Sequence, residues 1–166
     1  IADVSHFVRP GSELDKEARK RQFSVYLVDR TIPMLPEILS NDLCSLNPNV
    51  DRFAFSAVFD IEKETGKVLE RWFGKTVINS DKRFSYEEAQ EVLDNQTSDV
   101  GQAQHPMFGI LTELTRLARI FRAENKKNGA IEFETDEVKF ELDTQGYPVR
   151  VYKKARLETM KMIEEW

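Results

Sequence analysis

The chain has little cysteine and no long apolar run. Its 166 residues include one cysteine, Cys44, which excludes an internal disulfide and predicts a reducing compartment, the cytoplasm. Cys44 lies in apolar company, so a buried thiol is favoured over a nucleophile. No apolar stretch approaches the roughly 20 residues that span a bilayer, and no signal-peptide pattern is present. These absences predict a protein without membrane attachment.

An excess of basic residues is also absent. The formal charge is −5 and the isoelectric point is near 5.2, so the chain as a whole does not attract a phosphate backbone. Basic groups occur locally, at 16–21 and 126–127, and solvated helix faces or ends explain them. With 40% hydrophobic and 32% charged residues, the composition is that of a globular domain with a core.

The common catalytic motifs are missing. There is no glycine-rich phosphate loop and no Gly-x-Ser-x-Gly motif. His6 and His105 are far apart and have no partner at zinc spacing. Acidic residues cluster at 60–64, 87–91 and 132–137, but solvated surface or favourable helix-dipole charge explains each run better than magnesium ligation. Spacing alone therefore shows no active site.

Regular elements are predicted throughout the first half of the chain. They are a strand over 1–8, a helix over 13–21, and a hairpin of two long strands at 52–61 and 68–79. Ser12 or Asp15 can cap the helix, and Gly66 can take the positive φ that the hairpin turn requires. Phe53, Phe55 and Phe59 share one face of the first long strand by period-two alternation.

The second half mixes helices and strands. The predicted elements are helices at 86–94 and 105–125, strands around 131–133, 138–142 and 149–151, and a last helix from 155. Residues 95–104 are polar and predict a flexible loop. The last helix should turn Leu157, Met160 and Ile163 inward. The predicted fold is α+β, a largely antiparallel mixed sheet with packed helices, in one domain over 1–166.

The segment 24–46 stands apart because it is apolar but irregular. A β-like run, 24–28, is followed by Pro33 and Pro36, which prevent a long helix or a central strand. So apolar a segment should be packed in place, and a rigid loop is a common platform for a binding site. Tyr26 at its entrance and Phe133 in an acidic stretch are either core residues or stacking platforms for nucleotide bases.

Several motifs carry a resemblance to one known family. They are IADVSH at 1–6, PGSELD at 10–15, the segment 24–46, Asp51-Arg52, the stretch from Phe133 to Phe140, and Ile163-Glu164-Glu165. In this order, over nearly the whole chain, they resemble the central part of the RNB catalytic domain of the ribonuclease R / ribonuclease II family. The resemblance does not distinguish the ribonuclease R branch from the ribonuclease II branch.

The resemblance implies a function and three site residues. Members of the family hydrolyse single-stranded RNA processively from its 3′ end with Mg²⁺ and release nucleoside 5′-monophosphates. Tyr26 matches the tyrosine that helps to hold the 3′-terminal nucleotide, and Phe133 matches an aromatic that stacks on a terminal base. Glu164 matches an acid that contacts the RNA sugar. Such a clamp would act by positioning the scissile phosphate.

The resemblance also implies what lies outside this chain. The family's aspartate-rich metal motif belongs just before Ile1, and its arginine and glutamate near the leaving phosphate belong well after Trp166. Its cold-shock and S1-type OB domains flank the catalytic domain. We therefore expect a piece cut at both ends, which contains no catalytic residue or metal ligand of its own and is inactive alone.

Two alternatives stay open at this stage. The first is a non-catalytic relative of the same fold that binds RNA or has a regulatory role. The second is an unrelated α+β interaction domain in which Tyr26 and Phe133 are core residues. Full burial of both rings, together with a large distance between them, would favour the second alternative.

Overall fold

A computed structural model describes residues 1–95, 105–131 and 137–166. The helices are α1 (Val4–Phe7), α2 (Glu13–Arg21), α3 (Tyr86–Asn95), α4 (Phe108–Lys127) and α5 (Glu158–Glu165), and a π-helical segment covers Ile38–Leu43. The strands are β1 (Val25–Tyr26), β2 (Thr31–Ile32), β3 (Asp51–Ile61), β4 (Val68–Asn79), β5 (Val138–Leu142) and β6 (Pro148–Lys153). They pair as β1–β2, β3–β4 and β5–β6. The α+β class is confirmed, and the described strands pair as three two-stranded units.

The chain divides into two compact units. The first comprises Ile1–Phe59, Arg71–Arg83 and Phe140–Arg150, and the second comprises Asp60–Glu70, Phe84–Lys139 and Val151–Trp166. The long hairpins therefore contribute residues to both units. One domain over 1–166 stays a prediction. Within the described ranges, no helix has both the length and the apolarity to cross a membrane.

The start of the chain pairs with β3 in the first unit. Ala2 forms an antiparallel bridge with Ala54, and the Asp3 amide donates to the Phe53 carbonyl at 2.9 Å. The predicted strand over 1–8 is wrong beyond Asp3, because the next residues form the single turn α1. The Asp3 carbonyl accepts from the His6 amide at 3.1 Å, which turns the backbone away from β3.

The long hairpin β3–β4 confirms the predicted alternation. The strands begin and end within one residue of the predicted bounds. Ala54 is buried, whereas Phe53 and Phe55 on the opposite face are exposed. At the turn, Gly66 takes a φ of 74°, a left-handed conformation that costs glycine little. The two long strands were therefore predictable from their pattern.

Three helices form the core of the second unit. Ala89 of α3, Leu111 and Ala118 of α4 and Met162 of α5 make one buried cluster. Helix α3 begins with a capping box: the Ser85 amide donates to the Glu88 carboxylate at 2.8 Å. In return, the Glu88 amide donates to the Ser85 hydroxyl at 3.1 Å. This reciprocal pair satisfies two donors of the first turn.

The buried face of α5 differs from the predicted one. Thr159 and Met162 are buried, whereas Ile163 is 53% exposed and Leu157 and Met160 are half-buried. Thr159 tolerates burial because its hydroxyl donates to the Tyr86 carbonyl at 2.9 Å. The predicted inward position is therefore wrong for Ile163, whereas Leu157 and Met160 are partly buried.

The remaining elements follow the predictions closely. Helix α4 begins three positions after the predicted start at His105 and is followed by Gly129 at a φ of 94°. Strands β5 and β6 meet at a turn in which Gly146 has a φ of 86°. The predicted loop at 95–104 lies outside the described residues except for Asn95, which ends α3. The predicted strand around 131–133 also lies outside them beyond Ile131.

Candidate functional site

Tyr26 lies on a short hairpin in the first unit. Val25 pairs with Ile32, and Tyr26 pairs with Thr31, in antiparallel register. The sequence predicted the β-like run 24–28 but not its partner β2, because a two-residue strand leaves no periodicity to detect. The side chain of Tyr26 is 80% exposed. An exposed ring is not a core residue, so the core alternative is wrong for Tyr26.

The β1–β2 hairpin is anchored at its base. The Met34 amide donates to the Ser24 hydroxyl at 2.9 Å, which closes the segment behind the two strands. From α2, the Arg21 guanidinium donates to the Pro33 carbonyl at 3.3 Å. These bonds fix the ends of the hairpin while its outer residues stay accessible to a ligand.

The apolar segment 24–46 is packed less completely than expected. Leu39 is buried, but Ile32 and Ile38 are exposed. After Pro36, whose carbonyl accepts from the Leu39 amide at 2.9 Å, the chain enters a π-helix that turns only Leu39 fully inward. The prediction of a packed apolar loop is therefore wrong for the exposed part of the segment.

The residues next to Tyr26 in the sequence are apolar and exposed. Phe23, Leu27 and Val28 are all exposed and lie within three residues of Tyr26 along the chain. A flat aromatic ring among apolar neighbours can stack on a nucleotide base of any sequence. The arrangement supplies a contact surface for such stacking.

Phe133 lies outside the described residues, so its predicted stacking role stays a prediction. Glu137, the first described residue after 132–136, is held by two lysines. The Glu137 carboxylate accepts from Lys139 at 2.6 Å and from Lys154 at 3.4 Å. These hydrogen bonds, from Lys139 first, hold the pKa of Glu137 below its usual value.

Glu164 lies on α5 in the second unit, next to a surface groove of about 330 Å³. Its Oε2 accepts from Arg156 Nη2 at 2.6 Å and from Arg122 Nη2 at 3.1 Å. The Glu164 side chain is 48% exposed. A carboxylate held by two guanidinium groups, yet open to solvent, can accept a hydrogen bond from a ligand hydroxyl.

Glu165 is the more buried neighbour. Its side chain is 14% exposed, and it accepts from Arg122 Nε at 2.9 Å and from Asn125 at 3.1 Å. Arg122 of α4 therefore contacts the two adjacent acids at the end of α5, Glu164 and Glu165. Arg122 and Arg156 could not be predicted from the sequence. Arg122 pairs with acids more than forty residues away, and no local pattern marks such a pair.

The predicted site residues belong to different parts of the structure. Tyr26 lies in the first unit and Glu164 in the second, while Phe133 lies outside the described residues. No single unit brings the three together. Their joint action stays a prediction.

The basic runs are tied into ion pairs, as expected for solvated helix faces. On α2, Arg19 pairs with Asp15 at 3.0 Å and Arg21 with Glu17 at 2.9 Å. Lys127 at the end of α4 pairs with Glu124 at 3.7 Å. Exposed pairs of this kind contribute little to stability, and each acid offsets the positive charge that a phosphate would meet.

Metal-binding groups do not gather in the described ranges. Across 1–95, 105–131 and 137–166, no three His, Cys, Asp or Glu side chains lie close enough to hold a metal ion. A metal site built from three or more such side chains is therefore not assembled within these ranges.

Comparison with known proteins identifies the family. The model of the RNB domain matches residues 1–166. The chain belongs to the RNB domain family. Its fold is similar to that of Mycoplasma genitalium RNase R in complex with ribose methylated single-stranded RNA, with a TM-score of 0.88 and 31% identity. That match covers 99% of this chain and 25% of the other.

Two curated relatives show the range of the family. The chain is 42% identical over its whole length to DIS3-like exonuclease 2 of Schizosaccharomyces pombe, of which it spans 19%. It is 38% identical over its whole length to a protein of Arabidopsis thaliana named inactive exonuclease DIS3L2, of which it spans 16%. The chain thus corresponds to a small part of relatives that include both exonucleases and an inactive member.

Proposed function

We propose that this chain is the part of a 3′-to-5′ hydrolytic exoribonuclease that holds the 3′ end of single-stranded RNA. The observation that carries the proposal is the exposed ring of Tyr26 on an anchored hairpin of an RNB domain. An accessible aromatic can stack on a terminal base without sequence preference. Holding the terminal nucleotide would place the scissile phosphate for hydrolysis.

The other two site residues complete the proposed holder. Phe133 would stack on a base, and Glu164 would accept a hydrogen bond from the sugar of the RNA. The open side of the Glu164 carboxylate supports this role, since a ribose hydroxyl is a donor of suitable size. A DNA strand lacks the 2′-hydroxyl, so this contact would favour RNA.

The chemistry is proposed to depend on residues outside this chain. Mg²⁺, which is implied by the family, would activate water and neutralise developing charge when bound. We infer that its ligands lie outside residues 1–166 and that cold-shock and S1-type OB domains accompany this domain in the protein. Processive release of nucleoside 5′-monophosphates is proposed for that whole protein. The cytoplasmic location stays a prediction from the single cysteine.

A non-catalytic role is the second candidate. The match to an Arabidopsis thaliana relative named as inactive shows that membership of the family is compatible with loss of activity. In such a protein the same RNA-holding surface would serve binding or regulation alone. Measured hydrolysis by the full-length protein separates the two candidates.

The variant Tyr26→Ala tests the proposed holder. In the full-length protein, with a chelator present to prevent cleavage, it should weaken binding of single-stranded RNA by about 1–3 kcal/mol. Tyr26→Phe should retain most of the affinity because it keeps the ring. The melting temperature should not change, since the Tyr26 side chain is largely exposed.

Leu27→Ala is the matched control, since Leu27 is an exposed apolar neighbour on the same hairpin. Its effect on RNA affinity should be much smaller than that of Tyr26→Ala. A Tyr26→Ala protein that melts at a lower temperature but binds RNA normally would contradict the proposal.

A further inference from the structure

The two oxygens of the Glu164 carboxylate differ in their hydrogen bonds. Both guanidinium groups that contact it, from Arg122 and Arg156, donate to Oε2. Among the described residues, no hydrogen bond reaches Oε1. One oxygen is therefore used to fix the side chain and the other is left as an acceptor.

The two arginines approach Glu164 from different elements. Arg122 lies on α4, and Arg156 lies in the segment between β6 and α5. Since a glutamate on an exposed helix face samples several rotamers, two donors from independent directions restrict it to few of them. The groove of about 330 Å³ beside Glu164 is lined by both arginines.

Arg122 and Arg156 differ in whether a lysine could replace them. Arg156 contacts Glu164 through a single nitrogen, a role that a lysine ammonium can also perform. Arg122 donates through Nη2 to Glu164 and through Nε to Glu165. One ammonium on a flexible stem does not reproduce this two-way fork.

We propose that Arg122 and Arg156 are positioning residues that aim Oε1 of Glu164 at a hydroxyl of the RNA sugar. The inference rests on the proposed sugar contact of Glu164 and adds two residues that act through it. Arg122 also contacts the more buried Glu165. The orientation of the Glu164 carboxylate therefore depends on how α4 and α5 pack together. Neither arginine is required to touch RNA.

The test measures ribose preference in the full-length protein. The preference is the ratio of dissociation constants for 2′-deoxy and ribo oligonucleotides of the same sequence, measured with a chelator present. Glu164→Ala should lower it roughly tenfold, as expected for one hydrogen bond to a charged group. Arg156→Gln and Arg122→Gln should each lower it several-fold and should have no further effect in the Glu164→Ala background.

Conservative variants and a matched control add specificity. Arg156→Lys should retain the preference, whereas Arg122→Lys should not. Arg119 is the control, because it also joins α4 to α5 through an ion pair, with Glu158 at 3.4 Å. Arg119→Gln should leave the preference unchanged. If Arg122→Gln fails to fold, Arg156→Gln carries the test, because Arg156 lies outside the helices.

The possible failures are distinguishable. If Glu164→Ala lowers the ribose preference but neither Arg156→Gln nor Arg122→Gln does so, the positioning role is wrong and the sugar contact stands. If Glu164→Ala itself leaves the preference unchanged, the sugar contact is wrong and the positioning role falls with it. Equal losses for ribo and deoxy oligonucleotides in the arginine variants would also overturn the inference.

Discussion

Tyr26 and Glu164 are both exposed to solvent, and each is held in place by hydrogen bonds in a different way. Tyr26 is exposed but lies on a hairpin whose base is bonded to α2 and to the chain beyond it. Glu164 is half-exposed but is bonded directly by two arginines. In both cases the group that would meet RNA is accessible while its support is fixed, which limits the ordering that binding requires.

Asp3 is a residue whose ionisation should affect stability in acid. Its buried carboxylate accepts hydrogen bonds from Lys75, at 2.9 Å, and from the Ser5 hydroxyl. These bonds, from Lys75 first, lower the pKa of Asp3 below its usual value. Because the pKa is lower in the folded state, the stabilisation is present above the unfolded-state pKa. It is lost as the pH falls through the folded-state pKa.

The predicted outcome is a pH-dependent difference between wild type and Asp3→Asn. Thermal unfolding from neutral to acid pH should show the wild type more stable near neutrality. The difference in melting temperature between wild type and Asp3→Asn should narrow as the pH falls below the usual carboxylate range. Lys75→Met should move this narrowing to higher pH, because it removes the bond that lowers the pKa most. A difference in melting temperature between wild type and Asp3→Asn that stays constant at all pH values would contradict this role of Asp3.

At the scale of elements, two turn glycines provide a matched pair. Gly66 and Gly146 both have positive φ, at 74° and 86°. A Cβ on Gly146 would meet open space, whereas one on Gly66 would lie 2.9 Å from the Phe121 ring and 3.1 Å from Ile120. Gly66→Ala therefore adds a steric clash to the backbone strain that both variants share.

Denaturant unfolding should separate the two variants. Gly146→Ala should lower the free energy of unfolding by about 1–2 kcal/mol, the usual cost of the left-handed region for a residue with a Cβ. Gly66→Ala should cost about 1–3 kcal/mol more because of overpacking against α4. Equal losses in the two variants would show that α4 does not constrain the turn of β3–β4.

The elements also show which features a sequence reveals. The Ser85–Glu88 capping box and the β3–β4 hairpin were predictable because their signals lie within a few residues or alternate over a long run. The β1–β2 hairpin and the π-helix were not, because each is short and irregular. The face of α5 was misjudged because a satisfied hydroxyl let Thr159 be buried in preference to Ile163.

The candidate site residues were predicted from the resemblance to a family and not from composition or spacing. Tyr26 and Glu164 were chosen by their place in motifs, and neither composition nor spacing distinguishes them from surface residues. Arg122 and Arg156 required the structure, since their pairing with Glu164 follows from how α4 and the end of β6 meet α5. Residues that act through long-range contacts leave no local trace in a sequence.

At the scale of the whole molecule, the account predicts that the 166-residue chain alone does not cut RNA. No group of metal-ligating side chains was found in the described ranges, and the ligands are proposed to lie elsewhere. A 5′-labelled single-stranded RNA incubated with the chain and Mg²⁺ should keep its full length. Shortening that a chelator abolishes would contradict this prediction. Full-length protein containing the chain serves as the positive control.

The central claim is that the hairpin carrying Tyr26 meets the 3′ end of RNA. Photocrosslinking tests it directly, with 4-thiouridine placed at either the 3′-terminal or the 5′-terminal nucleotide of one oligonucleotide, bound to the full-length protein with a chelator present. The account predicts that the 3′-terminal probe crosslinks to the peptide containing residues 23–32 and that the 5′-terminal probe does not. Crosslinks to that peptide from the 5′ probe alone, or from neither probe while RNA is bound, would contradict it.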